Sequence, residues 1–146
     1  QVAEAIQQMW RSALGVQISL RNEEWKVFLD TRSRLDYHIA RAGWLPFSPE
    51  PAELYELNSG WSPSNETGWS DPEYDRILTL ARREMDAEKR YALYHQLDEI
   101  LLAEQPVIPI GFYARSRLVH PSIEGWPTNP MEGLVWTRIG FAESDR

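Results

Sequence analysis

Two aspartates, Asp71 and Asp86, each open a run of helical period, and together they constrain the fold more than any other feature of the chain. Asp71 is followed by Pro72, which suits a first helical position because the N–H it lacks would have no intrahelical partner there. Tyr74, Ile77, Leu78, Ala81 and Met85 then recur on one face. Asp86 opens the second run, in which Tyr91, Tyr94, Leu97, Ile100 and Leu101 form a wide apolar face that should close before Pro106. Two consecutive helices with one-sided apolar faces must cover something apolar, and the expected partner is a sheet.

The rest of the chain supplies candidates for that sheet. An opening helix carries Val2, Ile6, Met9, Trp10 and Ala13 on one face and should stop at Gly15, a residue suited to the left-handed cap. Val16, Ile18 and Leu20 alternate with Gln17 and Ser19, the pattern of a half-buried strand. Asn22 is expected to cap a short helix with Trp25, Phe28, Leu29 and Arg32 on one side. Further strands are expected at about 37–42, 107–113 and 117–119, with Pro109 pushing its strand toward an edge. Between Trp44 and Trp69, prolines 46, 49, 51 and 63 leave room for one short helix near 52–57. The tail, about 127–146, has weak periodicity and reads as irregular. The fold class is therefore α/β, a mixed sheet flanked by helices.

Length and charge narrow the function. The 146 residues suit one core. A net charge of −7 argues against a nucleic-acid backbone or an anionic membrane as partner, since both recruit basic surfaces. With no cysteine there is no disulfide framework, thiolate metal site or cysteine nucleophile. No apolar run is long enough to span a bilayer. The chain opens inside its first helix without an initiator methionine, which predicts a fragment of a longer protein.

Enzyme constellations are thin. His38, His95 and His120 are not in a metal-ligand spacing, no serine stands in a GxSxG elbow, and there is no Gly-rich phosphate loop. No catalytic residue, metal or cofactor is expected. Most carboxylates belong to solvated helix faces; Glu50, in the proline-rich segment, is the one that stands out as a ligand contact. All but Lys26 and Lys89 of the 15 basic residues are arginine, a side chain that grips carboxylates with two parallel hydrogen bonds. Arg32 shares a helix side with Trp25, and Arg41 precedes Trp44 at the end of an expected strand, where open sheets bind ligands. Surface salt bridges are the competing reading of these arginines. Trp44, Trp61, Trp69 and Trp126 sit in loop-like surroundings and serve either as stacking platforms or as core plugs.

At these residues the sequence resembles the oligopeptide/dipeptide/nickel-type extracytoplasmic solute-binding proteins of ABC transporters. The resemblance runs through about 1–126 and is carried by EEWKVFLDTR (23–32), ARAGW (40–44), NETGWSDPEYDRIL (65–78), the stretch 81–113 and RLVHPSIEGW (117–126), in the family's order and spacing. It implies that residues 1–146 are the C-terminal ligand-binding lobe of a two-lobed periplasmic-binding-protein fold, completed by the remaining lobe of the same protein. It also implies a receptor, not an enzyme, that captures an extended peptide or related small ligand between its lobes and passes it to ABC permease subunits. The location implied is the periplasm or the outer face of the cytoplasmic membrane. By position, Trp25, Arg32, Arg41 and Trp44 match the family's cleft residues. A small α/β hydrolase and a free-standing interaction domain are the competing classes.

The chain departs from the family at one place. Relatives often carry an aspartate three residues after the tryptophan of the ARAGW-like run, where it pairs with a ligand's α-ammonium; here that position is Phe47. Either Glu50 supplies the charge, or the pocket is apolar and takes a ligand without an amine there. Leu45, Pro46 and Phe47 favour the second.

Overall fold

The structure, a computed structural model, describes residues 2–112, 114, 116–126 and 136–142. Five α-helices run in order: α1 (Val2–Leu14), α2 (Trp25–Ser33), α3 (Ala52–Glu56), α4 (Pro72–Ala81) and α5 (Ala87–Glu104). Strands β1 (Ile123–Glu124) and β2 (Gly140–Phe141) follow, with a single 3-10 turn, Trp136–Arg138, between them. The chain divides into two compact units between Ala40 and Arg41.

In the first unit α1 ends where expected, with Gly15 at φ +68° just beyond it. The Gln7 side chain donates to the Ile18 carbonyl at 2.6 Å, holding the exit strand of chain close to the helix. The cap of α2 is not Asn22 but Glu24, whose carboxylate accepts from the Lys26 and Val27 N–H groups at 2.9 and 3.2 Å. Glutamate serves here because its Oε2 reaches two of the four orphan donors of the helix start.

The second unit is built on α4 and α5. Asp71 Oδ1 accepts the Tyr74 N–H at 2.7 Å and Asp86 Oδ1 the Lys89 N–H at 3.1 Å, so both expected caps form. Tyr74, Ile77, Leu78 and Ala81 of α4 meet Tyr94 and Leu97 of α5 in the buried core, with Ala52, Tyr55, Trp69, Leu93, Ile100 and Leu101 packed around it. A fully buried leucine such as Leu78 or Leu97 contributes about 1.5–3 kcal/mol. Met85, expected in the α4 stripe, is 90% exposed, because α4 ends at Ala81 and the chain turns before α5. Helix α5 closes with Gln105 in the left-handed region at φ 51°, its N–H bonded to the Leu101 carbonyl, ahead of Pro106.

The loop before α4 is stapled rather than loose. Asn65 donates to the carbonyls of Ser59 at 3.0 Å and Trp69 at 2.8 Å and accepts from Thr67, while Asp75 Oδ1 accepts the Gly60 N–H at 2.9 Å.

The expected sheet is not formed among the described residues. Segments 16–20, 37–42, 107–112 and 117–119 carry no ladder hydrogen bonds; residue 113 lies outside the described residues. A period-2 pattern makes a strand only when a second backbone pairs with it, and among the described residues none pairs with these segments. Their apolar side chains are consequently exposed, Ile108, Ile110, Phe112 and Leu118 among them. The one ladder pairs β1 with β2 antiparallel, Ile123 opposite Phe141 and Glu124 opposite Gly140. It lies against Gly125, at φ +72°, where a Cβ would fall 1.8 Å from the Arg138 carbonyl oxygen. Of the tail at about 127–146, residues 127–135 and 143–146 lie outside the described residues.

Candidate ligand-binding site

The proline-rich segment owes its shape to a shortage of donors. Prolines 46, 49 and 51 have no N–H, so the stretch 46–51 offers only those of Phe47, Ser48 and Glu50. Phe47 N–H and Ser48 N–H both go to the carboxylate of Glu53, at 3.0 and 3.2 Å, and the Glu50 N–H goes to the Ser48 hydroxyl at 3.3 Å. The indole N–H of Trp44 donates to the same Glu53 carboxylate at 3.1 Å. The Phe47 N–H foremost, with the Trp44 and Ser48 donors, holds Glu53 below the ordinary carboxylate range.

Glu50 is engaged on its other side. The Tyr94 hydroxyl donates to its Oε1 in a short hydrogen bond, and Arg90 Nε lies 3.6 Å from the same oxygen. Tyr94 stacks on Tyr55 with ring centroids 5.0 Å apart, and the Tyr55 hydroxyl donates to Asp98 at 2.8 Å. Burial first, then the bond to Glu50, pushes the Tyr94 phenol up to about 12. Helix α5 thus grips the segment at Glu50 and at Tyr55.

These groups border an open groove of about 560 Å³ in the second unit, with Trp44, Glu50 and Tyr94 on its wall. Glu50, Glu53, Glu56 and Glu84 face it against Arg82 and Arg90, so its rim is acidic. Arg82 pairs with Glu56 at 3.0 Å and lies over the Trp61 ring, leaving neither group as bare charge.

The sequence-expected residues fall as follows. Trp25 and Arg32 are in the first unit and share Phe28: the Trp25 and Phe28 rings are 5.8 Å apart, and the Arg32 guanidinium sits 5.6 Å from the Phe28 ring centre. In the second unit Arg41 is exposed and has an interaction of its own. Trp44 and Glu50 line the groove, whereas Phe47 is not part of its lining and is 89% exposed. Glu53, Arg90 and Tyr94 were not singled out by sequence. The only signal for Glu53 was the scarcity of N–H donors between the prolines. Of the histidines, His120 Nδ1 accepts the Ser122 N–H at 3.2 Å, which gives it a turn-closing role.

Comparison with known proteins gives one answer by sequence and by structure. No family model matches the chain. The dipeptide-binding protein of Bacillus subtilis (strain 168) is 35% identical over 89% of the chain, and the periplasmic murein peptide-binding protein of Escherichia coli (strain K12) is 32% identical over 96%. The solved structure of the Escherichia coli murein tripeptide-binding protein superposes with a TM-score of 0.86 at 30% identity over 98% of the chain and 28% of its own. That of the Haemophilus influenzae oligopeptide-binding protein in complex with RPPGFSPFR superposes at 0.84 and 28% identity, over 97% of this chain and 28% of its own. A further relative, 31% identical over 93% of the chain and 25% of its own length, is the probable deoxycholate-binding periplasmic protein of Escherichia coli (strain K12). The chain spans about a quarter of the length of the curated relatives it matches, 24% and 26% for the first two.

Sequence and fold thus give one class of similar proteins, the periplasmic solute-binding proteins. Within that class the similar proteins are those named for binding dipeptides, murein peptides and oligopeptides.

Proposed function

We propose that the chain is the C-terminal ligand-binding lobe of the receptor of an ABC importer, which captures peptides or peptide-like ligands and hands them to permease subunits in the membrane. The receptor works in the periplasm or tethered to the outer face of the cytoplasmic membrane, and it binds without catalysing. The observation that carries this reading is the agreement of the two comparisons: relatives at 30–36% identity over 89–96% of the chain, and TM-scores up to 0.86 on the same kind of protein. Trp25, Arg32, Arg41, Trp44, Phe47 and Glu50 are the residues expected to contact ligand. The mixed sheet flanked by helices forms when segments 16–20, 37–42, 107–112 and 117–119 pair with strands from the rest of the protein. Their exposed apolar side chains and open backbone support this.

A narrower reading concerns the ligand's charge. Glu50 Oε1 already takes the Tyr94 hydroxyl and faces Arg90, and Glu53 takes three N–H donors, so both carboxylates are engaged within the chain. Leu45 and Phe47 are exposed and apolar. The site therefore takes a ligand that presents no free amine at this wall, a kind of ligand for which the deoxycholate relative's name is a precedent. The test is to purify the full-length protein under native conditions and identify what is released on denaturation by mass spectrometry. Peptide-like species with a blocked or absent amine are expected; free-amine peptides alone would reject the narrower reading, and a nucleotide or sugar with no peptide-like species would reject both.

A further inference from the structure

We propose that Glu53 is the positioning residue of the ligand-facing loop 44–48: one carboxylate, carried on α3, fixes both the backbone that presents Phe47 and the indole of Trp44. The inference rests on the function proposed above and deepens it. Every N–H that prolines 46, 49 and 51 leave to the stretch 46–51 is accounted for, and the two at the loop's apex, Phe47 and Ser48, end on Glu53. No other group replaces it there, since the Glu50 carboxylate is held by Tyr94 and Arg90. The Trp44 indole N–H on Glu53 Oε1 sets which face of that ring is offered to the groove. The base under Glu53 is itself fixed. Tyr55, two residues on in α3, donates to Asp98 at 2.8 Å and stacks on Tyr94, and the Tyr74 hydroxyl donates to the Tyr55 carbonyl at 2.7 Å. Such a base holds a binding loop in one geometry before ligand arrives and lowers the ordering cost of binding.

The experiment uses full-length protein as wild type, Glu53→Ala, Glu53→Gln, Trp44→Phe and the double variant Glu53→Ala/Trp44→Phe. Amide hydrogen exchange is followed at Phe47 and Ser48, and binding is measured with a random tripeptide pool in free and N-acetylated forms. In Glu53→Ala, exchange at both amides should quicken about tenfold or more, with binding weakened about tenfold and the thermal midpoint little changed. Glu53→Gln keeps one carbonyl acceptor but turns an amide NH2 toward donors, so it should fall between, and it stands in if the alanine variant does not fold. Because Trp44 acts through the same carboxylate, Trp44→Phe should cost less in the Glu53→Ala background than in wild type. Unchanged exchange at Phe47 and Ser48 overturns the proposal, as do faster exchange with unchanged binding and strictly additive losses in the double variant. If wild-type protein takes up neither the free nor the N-acetylated tripeptides, the peptide-binding reading fails, and the exchange arm alone decides whether Glu53 holds the loop.

Discussion

A phenyl ring held 89% exposed at the apex of a proline-flanked loop is unfavourable in water, and roughly 25 cal/mol per Å² is recovered when such apolar surface is covered. Phe47 is thus better placed to meet an apolar or neutral part of a ligand than an ammonium, for which a ring face gives a weaker contact than a carboxylate. The prediction is made on one peptide in free and N-acetylated forms. Full-length wild type should bind the acetylated form at least as well, and Phe47→Asp should strengthen the free-amine form alone, by about tenfold or more. Titration calorimetry decides it: a wild type that prefers the free amine about a hundredfold, with Glu50→Gln removing the preference, would make Glu50 the anchor. At this scale the sequence was legible where spacing determines neighbours. Trp25, Phe28 and Arg32 stand at helical intervals and do meet on one side of α2. Glu53 was not legible, because its role depends on which backbone donors have been removed around it, and helical or strand periodicity does not register that.

Helix α5 carries Arg90, Tyr94 and Asp98 at intervals of one turn, and each of the three side chains engages the segment 50–55. The phenols in this contact are shifted together. Tyr94 is pushed up to about 12, and burial likewise raises Tyr55, which donates to Asp98, and Tyr74 beneath it. All three bind their protons more tightly folded than unfolded, so their contribution to stability is complete below the ordinary tyrosine value of 10.0 and is lost as pH rises through the folded values. An alkaline titration should therefore show tyrosinate absorbance from Tyr55, Tyr74 and Tyr94 arriving late and together with the loss of helical circular dichroism. Absorbance complete near the ordinary value while the helices persist would show that these hydroxyls are not held as described. The elements themselves were well marked in sequence where a cap announced them, as at Asp71 and Asp86. Met85 was assigned to the α4 stripe because its spacing continues the period; the helix had already ended, with the Arg82 N–H bonded to the Leu78 carbonyl.

At the scale of the whole molecule, the described part of the chain has its helices in place and one two-stranded ladder, β1 with β2. The alternation at 16–20 and 107–112 was legible because it follows from side chains. Whether those segments pair was not, because a ladder needs a second backbone and side-chain alternation does not register one. Ile108, Ile110, Phe112 and Leu118 stand exposed on extended chain, a combination that monomeric proteins avoid at free sheet edges because it recruits other strands. Amide exchange compared between the 146-residue chain and the full-length protein tests the pairing directly. In the full-length protein the amides of 107–112 and 117–119 should be protected about a hundredfold or more over the isolated chain, as paired strands are. The amides of α5, bonded within the helix and packed on α4, should exchange alike in both. Pro109 contributes no amide, and its place in the segment predicts that the partner strand accepts no bond at that position. Equal exchange of 107–112 in the two proteins would mean that these residues stay unpaired in the complete receptor, and the sheet proposed for this lobe would have to be built without them.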